Sequence, residues 1–469
     1  MIRLPVAPAV LALVALAGST TVVACGAKAS SAESPTKDSG SDDTGLHLGV
    51  DEDTGTRPRA DAGVRMQRGD AGVSAADVMA ETRKDAALPA PPLLINSDGG
   101  VIASPTIVAV FFSNEDPTLL PTLEQAYTGI GTSEVWQAGA EYGVGPATAQ
   151  NIVLTEAAPA TIDDTPDQAG DNTALQNWLL AAITAKTLPA WTPSTIYMLN
   201  YPTGTTVTSN GNSCTDFDGY HGDAQDSAND IIAYGVVPRC TDQGSTTLVT
   251  FTSTISHELV EAATDPYPDY SPGWAQVDNA HLFFDEANEG TEVADMCEND
   301  PEAYYEFPGY PFTVQRIWSN KAVLAGHDPC VPEIPNTVFF NAVPELPDTG
   351  PYDYYGSTVD VASVHIAVGG TATVYIDLYS DGATPDWDVN VFDFNNFNYG
   401  PASDDLLTIS QPITTGNNGS RLAVTVTVKA AGNPMTNGQI ENTELFAVVS
   451  SLGTSQSSPS HYWYGIVTN

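Results

Sequence analysis

Thr254–Pro266 reads TISHELVEAATDP, and His257, Glu258 and Glu261 within it have the side-chain types and spacing to hold and use a metal ion. On an α-helix, residues four apart lie one above the other, so His257 and Glu261 face the same way. That is the spacing two ligands to one ion need. An imidazole nitrogen and a carboxylate oxygen both bind zinc at about 2 Å. The His-Glu-x-x-Glu of this segment is therefore a competent variant of the zinc-peptidase signature His-Glu-x-x-His, although its second carboxylate makes the ion a weaker Lewis acid. Glu258 lies about 100° further round the helix, beside the ion, where a general base acting on a metal-bound water would stand. The competing explanation is a solvent-facing helix in an acidic protein. Against it, Glu258, Glu261 and Asp265 crowd the C-terminal half of the helix with no lysine or arginine in the segment. The helix dipole disfavours anions there, and a bound cation would account for them.

A zinc site needs a third ligand. NAHLFFDEANEGTEVADMCEND offers His281, Asp285, Glu286, Glu289, Glu292 and Asp295, and spacing alone does not choose among them. Gly290 and its acidic neighbours suggest a loop that Cys297 would pin. Arg316, one of few cations, is expected to neutralise the acids or to stabilise an oxyanion.

These residues must be positioned by elements that the hydrophobic pattern predicts. Phe251, Ile255, Leu259 and Ala262 or Ala263 form an apolar stripe on a helix from about Thr247 to Ala263. Thr106–Phe112 is apolar on both faces and reads as a buried strand, followed by strands in STIYMLNYP and DIIAYGVVPRC. A helix ends before Pro189 and is capped by Asn172 or Thr173. Residues 93–334 thus read as one α+β domain of mixed α/β character. From 335 to 469 short strands with period-two alternation and Gly/Asn turns predict an all-β, immunoglobulin-like sandwich. There, Asp381, Asp386, Asp388 and Asp393 are a calcium candidate. Trp387, Tyr462, Trp463 and Tyr464 are either a carbohydrate-contacting patch or packed inner-face residues. His327, His365 and His461 read as surface or packing residues.

The charge balance is 58 acids against 15 basic residues, a net −43. Such a field repels nucleic acid and anionic membranes and attracts cations. Residues 1–25 read as a signal peptide whose VVAC, Val22–Cys25, looks like a lipobox, making Cys25 a lipid-attachment site. Residues 26–92 form an acidic, Ser/Ala-rich tether without a core-forming composition. The chain is thus expected to be exported and lipid-anchored at the outer membrane or cell surface, touching membrane only through its anchor. In an oxidising compartment Cys214, Cys240, Cys297 and Cys330 would form disulfides. Of three connectivities, Cys214–Cys240 and Cys297–Cys330 close the shorter loops.

SCTDFDGYHG, YGVVPRC, SHELVEAATDP, TEVADMCE and PFTVQRIWSN…DPC occur in this order. Over about 100–333 the chain resembles the bacterial branch of the EXORDIUM or phosphate-induced-protein family. The resemblance implies an extracellular protein with a zincin-like metal site. It carries His257 and Glu258 in the helix motif and Glu292 with Cys297 downstream, making Glu292 the preferred third ligand. It also singles out His221, in GYHG, as a ligand or transition-state group, against the alternative of a loop histidine held by the nearby disulfide. The leading expectation is a zinc-dependent metallohydrolase acting on peptides or proteins. The alternatives are a non-catalytic binding protein for a cell-surface polymer, its metal structural or absent, and an adhesin-like display protein.

Overall fold

The computed structural model of the chain describes Ala24–Cys25 and residues 92–469, apart from 167–171, 241–245, 289, 301, 355–356, 396–404, 433–443 and 453–459. The expected signal segment and tether lie outside the described residues, save for Ala24–Cys25. The fold is a mixed, strand-rich α+β architecture. Among the described residues no helix is long and apolar enough to cross a membrane.

The first half is built on a sheet of β1 (Thr106–Phe111), β2 (Thr148–Val153), β3 (Thr195–Tyr201), β4 (Gly219–Gln225) and β5 (Ile231–Pro238). Their order is β4-β5-β3-β1-β2, with Ala24–Cys25 added beyond β4. All neighbours are parallel except β4, which runs antiparallel to β5. Successive residues of a strand point to opposite faces, and in β1 both faces are covered. Ile107, Ala109 and Phe111 join a core with Tyr127, Phe251, Ile255 and Leu259, while Val108 and Val110 join Leu175 and Leu179 on the other side. The first face is thus closed by α1 (Leu120–Ile130) and α3 (Thr247–Thr264), and the second by α2 (Ala174–Thr184). Thr173 caps α2 in a reciprocal box with Gln176.

The α3 helix is no surface helix. From Thr250 to Thr264 every residue but Ser253 is buried. Its apolar stripe explains only one side. The other sides hide because hydroxyls bond back to the preceding turn, as Thr250, Ser253, Thr254 and Thr264 do. A hairpin of β6 (Tyr304–Glu306) and β7 (Thr313–Gln315) lies against this helix, Gln315 N donating to Ser256 Oγ at 2.9 Å.

Two further sheets follow. One orders β8 (Phe340–Pro344), β11 (Thr371–Ser380), β15 (Arg421–Val428) and β13 (Leu407–Ser410), all antiparallel. The other orders β9 (Asp348–Tyr354), β10 (Ser357–His365), β17 (Ser460–Thr468), β16 (Leu445–Ser451), β12 (Trp387–Asp393) and β14 (Thr415–Gly416). Their alternate buried residues, among them Ile376, Val424, Val389 and Phe446, share one cluster. That cluster does not stop at the composition change near residue 335. It also takes in Phe283, Phe284, Val293 and Cys297 of the first half. Phe284 meets Trp463 and Tyr464 edge-on at 5.6 and 5.4 Å. Trp387, Trp463 and Tyr464 are thus packed inside, with Tyr462 only partly buried against the same cluster, so they form no exposed sugar-contacting patch.

The calcium candidates serve separate loops. Asp381 accepts from Phe339 N, Asp386 from Asn417 Nδ2, and Asp393 from Leu406 N and Leu407 N. Among the described residues no three-donor group includes any of them or Asp388.

Candidate metal centre

The C-terminal half of α3 faces β4 and the segment 290–298, and each partner is held close. A Cβ on Gly219 would stand 2.4 Å from Thr254 Cγ2 and 2.8 Å from Glu258 Oε1, so glycine lets β4 lie against the helix. Gly290 does the same for Asp295, whose Oδ2 would be 2.1 Å from an added Cβ. Disulfides anchor both segments: Cys214–Cys240 ties the turn before β4 to the end of β5, and Cys297–Cys330 holds the short helix Asp295–Glu298.

Here His257, Glu258, Glu261, Glu292 and His221 come together, all at most 3 % exposed in their side chains. Asp295 joins them. His257 Nε2 lies 2.9 Å from Glu261 Oε2 and 3.3 Å from Asp295 Oδ1. His221 Nδ1 lies 3.6 Å from Glu292 Oε2, 3.8 Å from Glu261 Oε2 and 3.9 Å from Glu258 Oε2. Glu261 is the hub, and its other oxygen, Oε1, accepts from Ala294 N and Asp295 N at 3.2 Å each.

The expected third ligand, Glu292, stands in a different donor group from His257. Asp295 forms the group with His257 and Glu261, whereas Glu292 groups with His221 and Asp265. His221 sits on a strand and not in a loop. His281 is turned away, paired with Asp278 at 2.8 Å, and Asp285 accepts from Tyr354 Oη. Glu289 lies outside the described residues, as does the side chain of Glu286. The sequence reading missed Asp265 as a donor; its place at the end of the acid-rich helix was the available signal.

Hydrogen bonds on the far side of each imidazole fix its tautomer. Gln315 Nε2 donates to Ala294 O at 2.8 Å, so its Oε1 is the atom 3.0 Å from His257 Nδ1. Nδ1 therefore carries a proton; in the neutral ring Nε2 turns a lone pair to Glu261 and Asp295, and in the protonated ring it donates to Glu261. The carbonyl of Asp265 lies 3.1 Å from His221 Nε2 and can only accept. His221 Nδ1 thus also presents a lone pair, buried and without a hydrogen-bond partner. Glu258 Oε1, Glu292 Oε2 and Asp265 Oδ2 are likewise buried without one, although the Glu292 carboxyl is within reach of Glu261 and Asp265, so a shared proton links these acids when no ion is bound. Lone pairs facing carboxylates repel unless a proton or a cation stands between them.

Burial drives the titration of the cluster. It raises Glu261 to about 7 and Asp265 to about 6, and lifts Glu258 and Glu292 well above the usual carboxylate range; neighbouring acids add to each. It lowers His221 to about 4, so that imidazole is neutral at pH 7. No lysine or arginine among the described residues forms an ion pair with these acids; their pairs are with the two histidines. Arg316 does not neutralise them. Its Nη1 donates to Asp328 Oδ2 at 2.6 Å and to Cys330 O, and its Nη2 lies 3.5 Å from Asp300.

The donor set fits a divalent zinc-class ion: the neutral imidazole of His221, the Nε2 of His257 and carboxylates, with their ligand atoms converging. The centre is enclosed. A cavity of ≈ 50 Å³ lies elsewhere, between Phe284, Asp300, Trp318, Asn341, His461 and Trp463.

No protein-family model matches the chain, and no curated protein does. Among solved structures, domains 4 and 5 of the S-layer protein SbsC are similar at 20 % identity with a TM-score of 0.15. The match covers 27 % of this chain and 47 % of that one, so the chain spans about half the length of the structure it matches. A likeness that slight carries no argument about fold or function.

Proposed function

We propose that the chain is an exported, lipid-anchored zinc metallohydrolase of zincin type, cleaving peptide bonds, with His257, Glu261 and Asp295 as ligands. The observation that carries this is the meeting of His257 Nε2, Glu261 Oε2 and Asp295 Oδ1 in one buried group, with Glu258 beside it. When bound, the ion supplies Lewis acidity toward a carbonyl oxygen and a water. The chain supplies the rest. Gln315 orients His257 through Nδ1, and the amides of Ala294 and Asp295 orient Glu261. Glu258 keeps Oε1 free of partners beside the group, with its proton affinity raised by burial. A carboxylate so tuned takes a proton from the attacking water at Oε1 and returns it to the leaving amine.

The ordered motifs resembling the bacterial EXORDIUM family support the same segments as a site. The zincin comparison rests on a helix lying against a sheet in which β4 runs antiparallel to β5 and faces the motif. The second half would be the immunoglobulin-like part, and Cys25 the lipid anchor.

A second reading is favoured by the enclosure: donors at most 3 % exposed suit a closed, structural ion in a surface-binding protein. Glu258→Gln separates the two. A hydrolase keeps its zinc in this variant and loses about 10²- to 10⁴-fold in turnover of a peptide library. Wild-type protein that holds zinc and cleaves nothing in the library supports the closed centre. A chain that holds no zinc after reconstitution sinks both.

A further inference from the structure

The donors outnumber what one ion can use. We infer that this centre holds two divalent cations side by side, bridged by Glu261, with the second held by His221, Glu292 and Asp265. This deepens the metallohydrolase reading and rests on it.

Three independent features point there. The first is the grouping: His257, Glu261 and Asp295 form one set of converging ligand atoms, while His221, Asp265 and Glu292 form another, and His221 meets Glu261 in a third. Glu261 Oε1 is engaged by two backbone amides, so Oε2 is the oxygen offered to both sides, 2.9 Å from His257 and 3.8 Å from His221. Bridged pairs of catalytic ions stand about 3.5–4 Å apart, a span that one carboxylate can serve.

The second is the set of atoms left over once the first ion is placed. His221 Nδ1, Glu292 Oε2 and Asp265 Oδ2 are buried with no hydrogen-bond partner, and none belongs to the group of His257. The tautomer of His221 is fixed by the Asp265 carbonyl, so its lone pair is aimed inward whether or not a metal is bound. A buried polar atom left without a partner costs about 1–3 kcal/mol, and a second ion would satisfy three together.

The third is charge. Glu258, Glu261, Asp265, Glu292 and Asp295 would carry five negative charges when metallated, with no arginine or lysine pairing any of them among the described residues. One divalent ion would leave three unmatched; two leave one. His221 comes from β4, a different part of the chain from the first set, whereas Glu292 shares its turn with Asp295, to whose Oδ2 its amide donates at 3.2 Å, so His221 is the ligand to remove first.

The full chain, stripped with a chelator and checked for its two disulfides and its circular dichroism, is titrated with zinc and counted by elemental analysis after gel filtration. Two zinc ions per chain are expected, falling to one in His221→Asn. Glu292→Gln is the second variant if His221→Asn does not fold, again with one ion expected. Cobalt(II) should give a spin-coupled signal in the wild type and an uncoupled one in either variant. One zinc in the wild type overturns the inference and leaves the single-ion enzyme standing. Two in the wild type and two in both variants overturns the assignment to His221 and Glu292. No zinc in a folded wild type overturns this inference and the reading it rests on.

Discussion

Two buried polar clusters in this molecule solve one electrostatic problem differently. Around Arg316, which is fully buried, the guanidinium donates to Asp328, Cys330 O and Glu302 O and lies beside Asp300, which also pairs with His461 Nδ1 at 2.9 Å. Burial works against charge there as everywhere, yet His461 and Arg316 outweigh it and hold Asp300 below the usual carboxylate range. Around Glu261 no lysine or arginine among the described residues pairs with the acids, and burial wins: the acids are pushed up toward protonation. The first cluster brings its own counter-charge and joins the two halves of the protein. Among its described residues the second has no lysine or arginine, and His221 turns a lone pair instead of a proton inward. The self-neutralised cluster serves as architecture; the other is the one for which a metal centre is proposed.

The contrast can be attacked at its strongest point first. Arg316→Met strands Asp300 and Asp328 and should cost about 3–5 kcal/mol, read by denaturant unfolding. Supplying zinc should not repair it. A loss below 1 kcal/mol would erase the distinction between the clusters.

On the proposed reading, zinc acts on the other cluster. At a hundredfold excess over its dissociation constant it should stabilise the wild type by about 2.7 kcal/mol, and His257→Ala should lose most of that gain. Equal stabilisation of the variant would place the ion elsewhere.

The smallest effects are in pH, and both clusters lose stability as pH rises, over different ranges. In the metal-free protein Glu261 and Asp265 sit above their unfolded values, so the folded state holds protons that the unfolded state has released. Stability should fall as pH rises from about 4.5 to about 7, and zinc should flatten that slope. His461 is raised in spite of burial, chiefly by Asp300. Its contribution is complete below about 6.5 and is lost as pH rises through its higher folded value. His461→Gln should remove about 1 kcal/mol at pH 6 and less at pH 9. A pH-independent loss would mean that His461 acts by packing against Phe339 and Phe340 alone.

Much of the centre was legible in the residues. The four-residue spacing of His257 and Glu261 and the stripe through Phe251, Ile255 and Leu259 located the helix and its two donors. Short-loop closure named both disulfides. Three things were not legible, each for a physical reason. GYHGDAQ does not look like a strand, because its small and polar residues are buried by contact with α3 and not by their own hydrophobicity. Asp295 and Glu292 are three apart beside Gly290, and only the fold of that turn decides which meets His257. Arg316 looked like the counter-charge for the acid cluster because a sequence shows how few cations there are, not which acids they reach.

The meeting of Phe284 with Trp463 and Tyr464 has a consequence for the order of events as the chain is made. The helix α3 emerges long before β17, and chains tend to fold from the N-terminal side as they appear. Phe283 and Phe284 lead directly into the turn that carries Glu292 and Asp295. Until β17 arrives, that turn has no floor. The proposed ligand set should therefore close last, and the long second half would act as the latch on a site to which none of its described residues contributes a ligand.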